Sequence, residues 1–125
     1  MKNLQMPLKR KWFEMTKAGL KTEDYREINK YWIQRLMQYL YTRSDWKSER
    51  DIIENIILHR EHFEQNRMNN FRCNVMTLGY PGADDTERIL KLEHKGIEIR
   101  TGNPEWGAEP NKIYFVIIHG SILNE

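Results

Sequence analysis

The chain has 125 residues, of which 39% are hydrophobic and 30% are charged, and its formal net charge is +2. Its length predicts a single domain, 1–125, and its composition is typical of a folded globular protein rather than of a disordered chain. The longest apolar run, residues 113–118, is far too short for a membrane span, so we expect no membrane partner. With one cysteine, Cys73, and no apolar leader segment, the sequence favours a cytoplasmic location.

Basic residues are concentrated near the N-terminus. Residues 1–26 contain seven lysines and arginines against three acidic residues, a net charge of +4, so the remaining residues sum to −2. A basic surface of this kind can bind an anion such as nucleic acid, or it can simply be a solvated face of the fold. The sequence leaves both interpretations open.

The first elements in the chain are a short strand, a helix and a second strand. Alternation of apolar and polar residues predicts a half-buried strand over residues 4–8. A helix is predicted over residues 10–18, ended by Gly19 in the left-handed conformation, and the next strand is predicted over residues 21–27. The helix residues predicted to face the core are Trp12, Phe13, Thr16 and Leu20.

A helical region follows. The apolar spacing predicts a helix over residues 30–41. A second helix is predicted to begin at Ser48, with Asp51 three residues later in a variant of the capping box. The predicted buried residues of these helices are Trp32, Ile33, Leu36, Met37 and Leu40 in the first, and Ile52, Ile53, Ile56, Ile57 and Phe63 in the second.

The second half of the chain is predicted to form strands. They cover residues 71–78, 87–93 and 113–118, and Gly96 marks a bulge or bend after which the alternation resumes. The last strand is apolar on both faces, which is typical of a strand covered on both sides. Many short strands with appended helices predict an α+β fold built on a curled, barrel-like sheet of about five to six strands.

Two segments carry a resemblance to a known family. The first is a strand and a helix that lead into Gly-x-Lys-Thr-x-Asp-x-Arg at positions 19–26. The second comprises residues 95–99 and the loop at 102–110, followed by the apolar strand. Together they resemble the ASCH domain, a member of the PUA-like group of RNA-binding folds, in the form found in small proteins of bacteria and their phages. The resemblance implies a small PUA-like β-barrel with an N-terminal helix and a helical insert at roughly residues 42–68.

The resemblance also implies a cleft that binds RNA or a modified nucleotide. In this cleft Lys21 and Arg26 would supply positive charge, and Asp24 and Glu109 would supply hydrogen-bond acceptors. Trp106 would provide a surface on which a base can stack. Three further residues complete the predicted ligand-binding set: Lys9, Lys11 and Thr22.

Two other functions remain open. The first is a hydrolase in the same cleft, a nucleoside amidohydrolase or a ribonuclease, with Lys21 and Asp24 as the candidate catalytic residues. One branch of the family, resembling amidohydrolases of acetylated cytidine, uses the matching lysine with a threonine three residues later, where this chain has Asp24 and therefore no hydroxyl. On a regular strand Lys21 and Asp24 would lie on opposite faces, so a ribonuclease would also require a bulge. The second is a protein-interaction module that uses the isoleucine-rich face of the helical insert.

The sequence predicts neither a cofactor nor a metal site. It contains no glycine-rich phosphate loop. His59 and His62 are three residues apart on a predicted helix, but no third ligand lies near them in the sequence. Cys73 is expected to be a buried, unreactive thiol within a strand.

Overall fold

The computed structural model describes residues 1–38 and 48–123. The described chain is α+β, with five β-strands and four α-helices. In chain order the elements are β1 Lys2–Leu8, α1 Arg10–Lys17, β2 Glu23–Arg26, α2 Lys30–Leu36, α3 Glu49–Leu58, α4 Arg60–Asn66, β3 Phe71–Leu78, β4 Ile89–Thr101 and β5 Ile113–Ile122. Short turns of 3₁₀-helix at Thr86–Arg88 and Pro104–Trp106 precede β4 and β5.

The five strands form one mixed sheet in the order β1-β3-β4-β5-β2. β3 pairs in parallel with β1 and antiparallel with β4. The predicted α+β class and a strand number within the predicted range are therefore confirmed, whereas a PUA-like barrel stays a prediction. None of the helices in the described ranges is long and apolar enough to cross a membrane.

The described residues divide into two compact units. The first contains Met1–Asp24, Asn70–Gly96 and the described chain from Ile117 onward. The second contains the described parts of Tyr25–Asn69 and of Ile97–Val116. Each unit has its own buried apolar residues, and the single domain remains a prediction.

The buried side of the first unit is built on β1 and β3. Their parallel register places Leu4 beside Asn74 and Met6 beside Met76, and all four residues are at most 1% exposed. Every second residue of β1 is buried from Leu4 onward, which confirms the predicted alternation. α1 packs on β3 and buries its Phe13.

α1 ends where the sequence predicts. Its last residue is Lys17, Ala18 is the C-cap, and Gly19 follows with a φ of 77°, a left-handed conformation that costs glycine little. The N–H of Leu20 then bonds to the carbonyl of Met15 at 2.9 Å. The prediction that Leu20 faces the core is wrong: its side chain is 65% exposed, because the turn at Gly19 comes before it.

β2 is shorter than predicted. It covers Glu23–Arg26 rather than residues 21–27, so Lys21 and Thr22 precede the strand. The alternation of a regular strand does not apply to these two residues. The prediction that Lys21 and Asp24 lie on opposite faces is therefore wrong, and their side chains are in contact.

In the second unit, α2 ends earlier than predicted. The helix stops at Leu36, because Met37 adopts an extended conformation and forms a β-bridge with Met68. The N–H of Asn69 also bonds to the carbonyl of Leu36 at 2.9 Å. Residues 39–47, which include the end of this predicted helix and the start of the predicted insert, lie outside the described residues. Of the predicted apolar stripe, Ile33, Leu36 and Met37 are buried and Trp32 is half-buried.

The described part of the predicted insert contains two helices instead of one. α3 begins as predicted, since the side chain of Ser48 accepts a hydrogen bond from the N–H of Asp51 at 3.1 Å. The chain leaves helical geometry at His59, which separates α3 from α4. Ile56 and Phe63 are buried, and the other three isoleucines of the predicted stripe are half-buried. The role of this face in binding a protein partner stays a prediction.

β4 is longer than the strand predicted over residues 87–93, because it continues to Thr101. It runs through Gly96, whose φ of 129° is accessible to glycine and strained for other residues. The buried positions change phase there: Leu90 and Leu92 are buried before Gly96, and Ile97 and Ile99 are buried after it. The predicted irregularity at Gly96 is thus confirmed, and it lies within one continuous strand.

Within the second unit, Gly102 packs against the ring of Tyr25. A Cβ at this position would lie 2.5 Å from Cε1 of Tyr25, whose hydroxyl accepts a hydrogen bond from the N–H of Asn103 at 2.9 Å. We expect Gly102→Ala to lower the free energy of unfolding by about 1–3 kcal/mol, because the rigid ring has to move. Urea denaturation measures this change.

Gly82→Ala is the matched control for this substitution. A Cβ at Gly82 would meet the end of the flexible Asp84 side chain at 3.1 Å. The free energy of unfolding should therefore change by less than about 0.5 kcal/mol. Equal losses in the two variants would contradict the close packing of Gly102 on Tyr25.

Candidate functional site

The site is centred on a buried ion pair between Lys21 and Asp24. Asp24 is the second residue of β2, and Lys21 lies three residues earlier, in the turn that follows Gly19. Nζ of Lys21 donates to Oδ1 of Asp24 and to the carbonyl oxygen of Glu23 (2.6 Å). The two side chains are 1% and 3% exposed. Charges buried this deeply persist only when they are paired and hydrogen-bonded, so this pair fixes the turn to the strand.

His119 of β5 holds the other oxygen of the Asp24 carboxylate. Its Nε2 lies 2.6 Å from Oδ2 of Asp24, and its backbone N–H donates to the carbonyl of Thr22 at 3.0 Å. The side chain of His119 is 1% exposed. Since a carboxylate only accepts hydrogen bonds, His119 carries a hydrogen on Nε2. Both oxygens of Asp24 are thus engaged.

Asn74 and His94 extend this series of hydrogen bonds. Asn74 is fully buried on β3, and its partner on β4 is Leu92, which makes His94 a diagonal neighbour on the same face of the sheet. Nδ2 of Asn74 lies 2.7 Å from Nδ1 of His119, and its Oδ1 lies 2.7 Å from Nδ1 of His94. We call the resulting series, all of it in the first unit, the polar chain: Lys21, Asp24, His119, Asn74 and His94.

The surroundings set the protonation states in the polar chain. Burial by itself raises the pKa of Asp24, but the hydrogen bond with His119 and the charge of Lys21 outweigh it, and the pKa falls below its ordinary value of 3.8. Burial lowers the pKa of His94, and positive charge on His119 lowers it further. Asp24 is therefore a carboxylate and His94 is a neutral imidazole at neutral pH.

One end of the polar chain forms the floor of a cleft with a volume of about 510 Å³. We call it the Lys21 cleft and define it by the buried Lys21 and His119 and by three exposed residues of its lining, Thr22, Lys95 and Ser121. A volume of this size accommodates a small organic ligand. The lining also includes Glu93, whose carboxylate lies 3.7 Å from Nζ of Lys95. Hydroxyl groups and paired charges of both signs suit a polar ligand.

Lys9 and Lys11 also belong to the first unit, but neither lines the Lys21 cleft. Both are exposed around the start of α1. Nζ of Lys11 lies 4.8 Å from the centroid of the Trp12 ring, and Nζ of Lys21 lies 5.7 Å from the centroid of the same ring. Trp12 thus contacts both the exposed basic end of α1 and the buried ion pair.

The remaining three predicted ligand-binding residues belong to the second unit. Arg26 packs over the ring of Trp32, 5.3 Å from its centroid. Trp106 is half-buried at the end of a 3₁₀ turn, and Glu109 is exposed. That Trp106 joins Lys21 and Asp24 in one concave site stays a prediction.

Sequence reasoning missed three members of the polar chain: Asn74, His94 and His119. Two of them carried a signal. Asn74 interrupts an apolar run in β3, and His119 directly follows the apolar run of β5, so each places a polar group where the strand pattern predicts burial. His94 carried no such signal, because charged residues flank it on β4. Within residues 1–38 and 48–123 there is no cluster of three or more metal-ligating side chains.

A comparison of the chain with models of protein families, with curated proteins and with solved structures finds no match.

Removing the carboxylate of Asp24 should destabilise the fold strongly. We expect Asp24→Asn to lower the free energy of unfolding by about 3–5 kcal/mol, because the buried charge of Lys21 loses its partner. Chemical denaturation measures the change. The matched control is Glu54→Gln, which removes an exposed ion pair with Arg50 (3.1 Å) and should cost no more than about 0.5 kcal/mol. Similar losses in the two variants would contradict the structural role of the buried pair.

The contribution of Asp24 should also depend on pH. A carboxyl group whose pKa is lower in the folded state stabilises the fold fully above its unfolded pKa, about 3.9, and this stabilisation is lost as the pH falls toward the folded value. The difference in unfolding free energy between the wild type and Asp24→Asn should therefore shrink as the pH falls below about 4. A difference that grows in this range would contradict the lowered pKa of Asp24.

Proposed function

We propose that the protein binds RNA or a modified nucleotide in the Lys21 cleft. The observation that carries this proposal is the buried cluster of Lys21, Asp24 and His119 at the floor of an open cleft. Proteins in which apolar side chains of the same volume replace a buried ion pair are often at least as stable. Charged groups with perturbed pKa values are common at functional sites. The cluster therefore favours a role in recognising a ligand.

The exposed lining of the cleft supports a nucleotide as the ligand class. The ammonium group of Lys95 can pair with a phosphate, and the hydroxyls of Thr22 and Ser121 can both donate to and accept from a ribose or a base. Lys9 and Lys11 add exposed positive charge to the same unit. Contacts of lysines with phosphates would orient an RNA strand without reading its sequence.

The resemblance to the ASCH domain supports the same ligand class. Under this interpretation the sheet belongs to a PUA-like barrel of a bacterial or phage protein that acts in the cytoplasm. The resemblance also implies that Trp106 stacks on a base and that Glu109 accepts hydrogen bonds from the edge of a base.

Binding should depend on a lysine of the cleft and on salt. We expect Lys95→Ala to weaken the binding of a labelled single-stranded RNA about tenfold at low salt, because a charge-assisted hydrogen bond to phosphate is lost. Fluorescence anisotropy at two salt concentrations measures this, with ribonucleoside monophosphates as competitors. Lys95 is a better residue for this test than Lys21, because removing the Lys21 side chain would leave Asp24 buried without its partner.

Lys2→Ala is the matched control for RNA binding. Lys2 is an exposed lysine of the same unit that does not line the cleft, and its loss should change the affinity less than about twofold. Equal small losses in both variants would indicate diffuse attraction and refute binding in the cleft. If binding in the cleft is confirmed, mass spectrometry of the nucleotides that remain bound through purification would identify the natural ligand.

We expect no efficient hydrolysis of acetylated cytidine. Asp24 has no hydroxyl that could form and release an acyl intermediate. Its two oxygens are engaged by Lys21 and His119, and a carboxylate stabilised in this way is a weak base. Incubation of the purified protein with acetylated cytidine should release cytidine no faster than the uncatalysed reaction. Turnover that a folded Asp24→Asn variant loses would instead favour the hydrolase.

A further inference from the structure

Asn74 lies between two histidines and offers a different group to each. Its Nδ2 donates to Nδ1 of His119, and its Oδ1 accepts from the N–H at Nδ1 of His94, both over 2.7 Å. In this arrangement His119 is neutral, with its hydrogen on Nε2 facing Asp24. His94 is also neutral and carries its hydrogen on Nδ1. Every polar contact of Asn74 with the two rings is satisfied.

A second arrangement uses the same atomic positions. The oxygen and nitrogen of an asparagine amide are nearly equal in size, so a half-turn of the amide exchanges them without displacing its neighbours. Oδ1 of Asn74 would then accept a hydrogen bond from a protonated Nδ1 of His119, and Nδ2 would donate to Nδ1 of His94. His119 is charged in this arrangement, and His94 is neutral with its hydrogen on Nε2.

We infer that Asn74 couples the two histidines, so that a proton gained by His119 obliges His94 to hold its own proton on Nε2 instead of Nδ1. If both rings were charged, two N–H donors would face Asn74, which can accept from only one of them and would present its NH₂ group to the other. The net change is one proton taken up by His119. His94, a half-buried residue, exchanges one proton with solvent.

This coupling would connect the Lys21 cleft to Nε2 of His94, a residue that does not line the cleft. His119 lies at the floor of the cleft, so an anion bound there would favour the charged form of His119. Nε2 of His94 would then change from an acceptor to a donor of hydrogen bonds. The coupling itself does not depend on which ligand the cleft binds.

The charged groups around the two rings are compatible with this coupling. Asp24 contacts His119 on the side opposite Asn74, so a charged His119 would be held between a carboxylate and an amide oxygen. Other charged groups on the surrounding elements include Lys21 before β2, Glu93 and Lys95 on β4, the exposed Arg72 on β3, and the exposed Lys11 and Lys17 on α1.

The test is NMR of the histidine rings in the uniformly ¹⁵N-labelled full chain. Long-range ¹H–¹⁵N correlation spectra show which ring nitrogen carries the hydrogen at each pH. As His119 becomes charged, we expect His94 to change from the Nδ1–H to the Nε2–H tautomer over the same pH range. His59 and His62, two exposed residues of the second unit, serve as internal references. A His94 that keeps its hydrogen on Nδ1, or a His119 that stays neutral until the protein unfolds, would overturn the inference.

Two variants of Asn74 test the coupling further. Asn74→Asp provides two acceptor oxygens, so both rings can be charged together. The histidine that is protonated second, as the pH falls, should then bind its proton at least about tenfold more tightly than in the wild type. Its titration should shift by about one pH unit. Asn74→Leu removes both hydrogen bonds and should let the rings titrate independently. An Asn74→Asp protein with the wild-type separation of the two titrations would contradict the coupling. The wild-type measurement needs no substitution and decides the question where a variant fails to fold.

Discussion

The buried carboxylate of Asp24 determines what surrounds it in the first unit. An isolated buried charge is destabilising by several kcal/mol, so each of its oxygens needs a donor, and Lys21 and His119 are those donors. His119 brings a second ring nitrogen into the buried region, where it requires the amide of Asn74. The amide oxygen in turn requires His94. One buried charge thus accounts, through successive hydrogen bonds, for four further polar side chains.

The polar chain also constrains how the strands pair. The turn before β2 and the strands β2, β3, β4 and β5 each contribute one of its members. Because side chains alternate between the faces of a strand, a slip of one residue in β3 would turn Asn74 away from both histidines. Each buried group left without a partner would cost about 1–3 kcal/mol. Wrong registers are therefore penalised by hydrogen bonding as well as by loss of apolar packing.

Much of the fold follows from short-range patterns, whereas the site does not. β1, the end of α1 at Gly19 and the start of α3 at Ser48 were predictable, because each depends on residues within one or two turns of chain. The early end of α2 was not, since Met37 pairs with Met68 in a distant segment. The sequence identified Lys21 and Asp24 as candidates, but their contact depends on where β2 begins. Asn74, His94 and His119 come together through the strand order of the sheet, for which a single sequence carries no local signal.

Stability alone does not account for the polar chain. Well-packed apolar residues in place of a buried ion pair often leave a protein equally stable or more stable. Apolar replacements for Lys21, Asp24 and His119 would also avoid the loss of stability that protonation of Asp24 brings at low pH. What these replacements would remove is charge at the floor of an open cleft and a hydrogen-bonded path from that floor to the half-buried ring of His94. Stability alone does not explain these properties, which is the physical reason for proposing that a ligand binds in the Lys21 cleft.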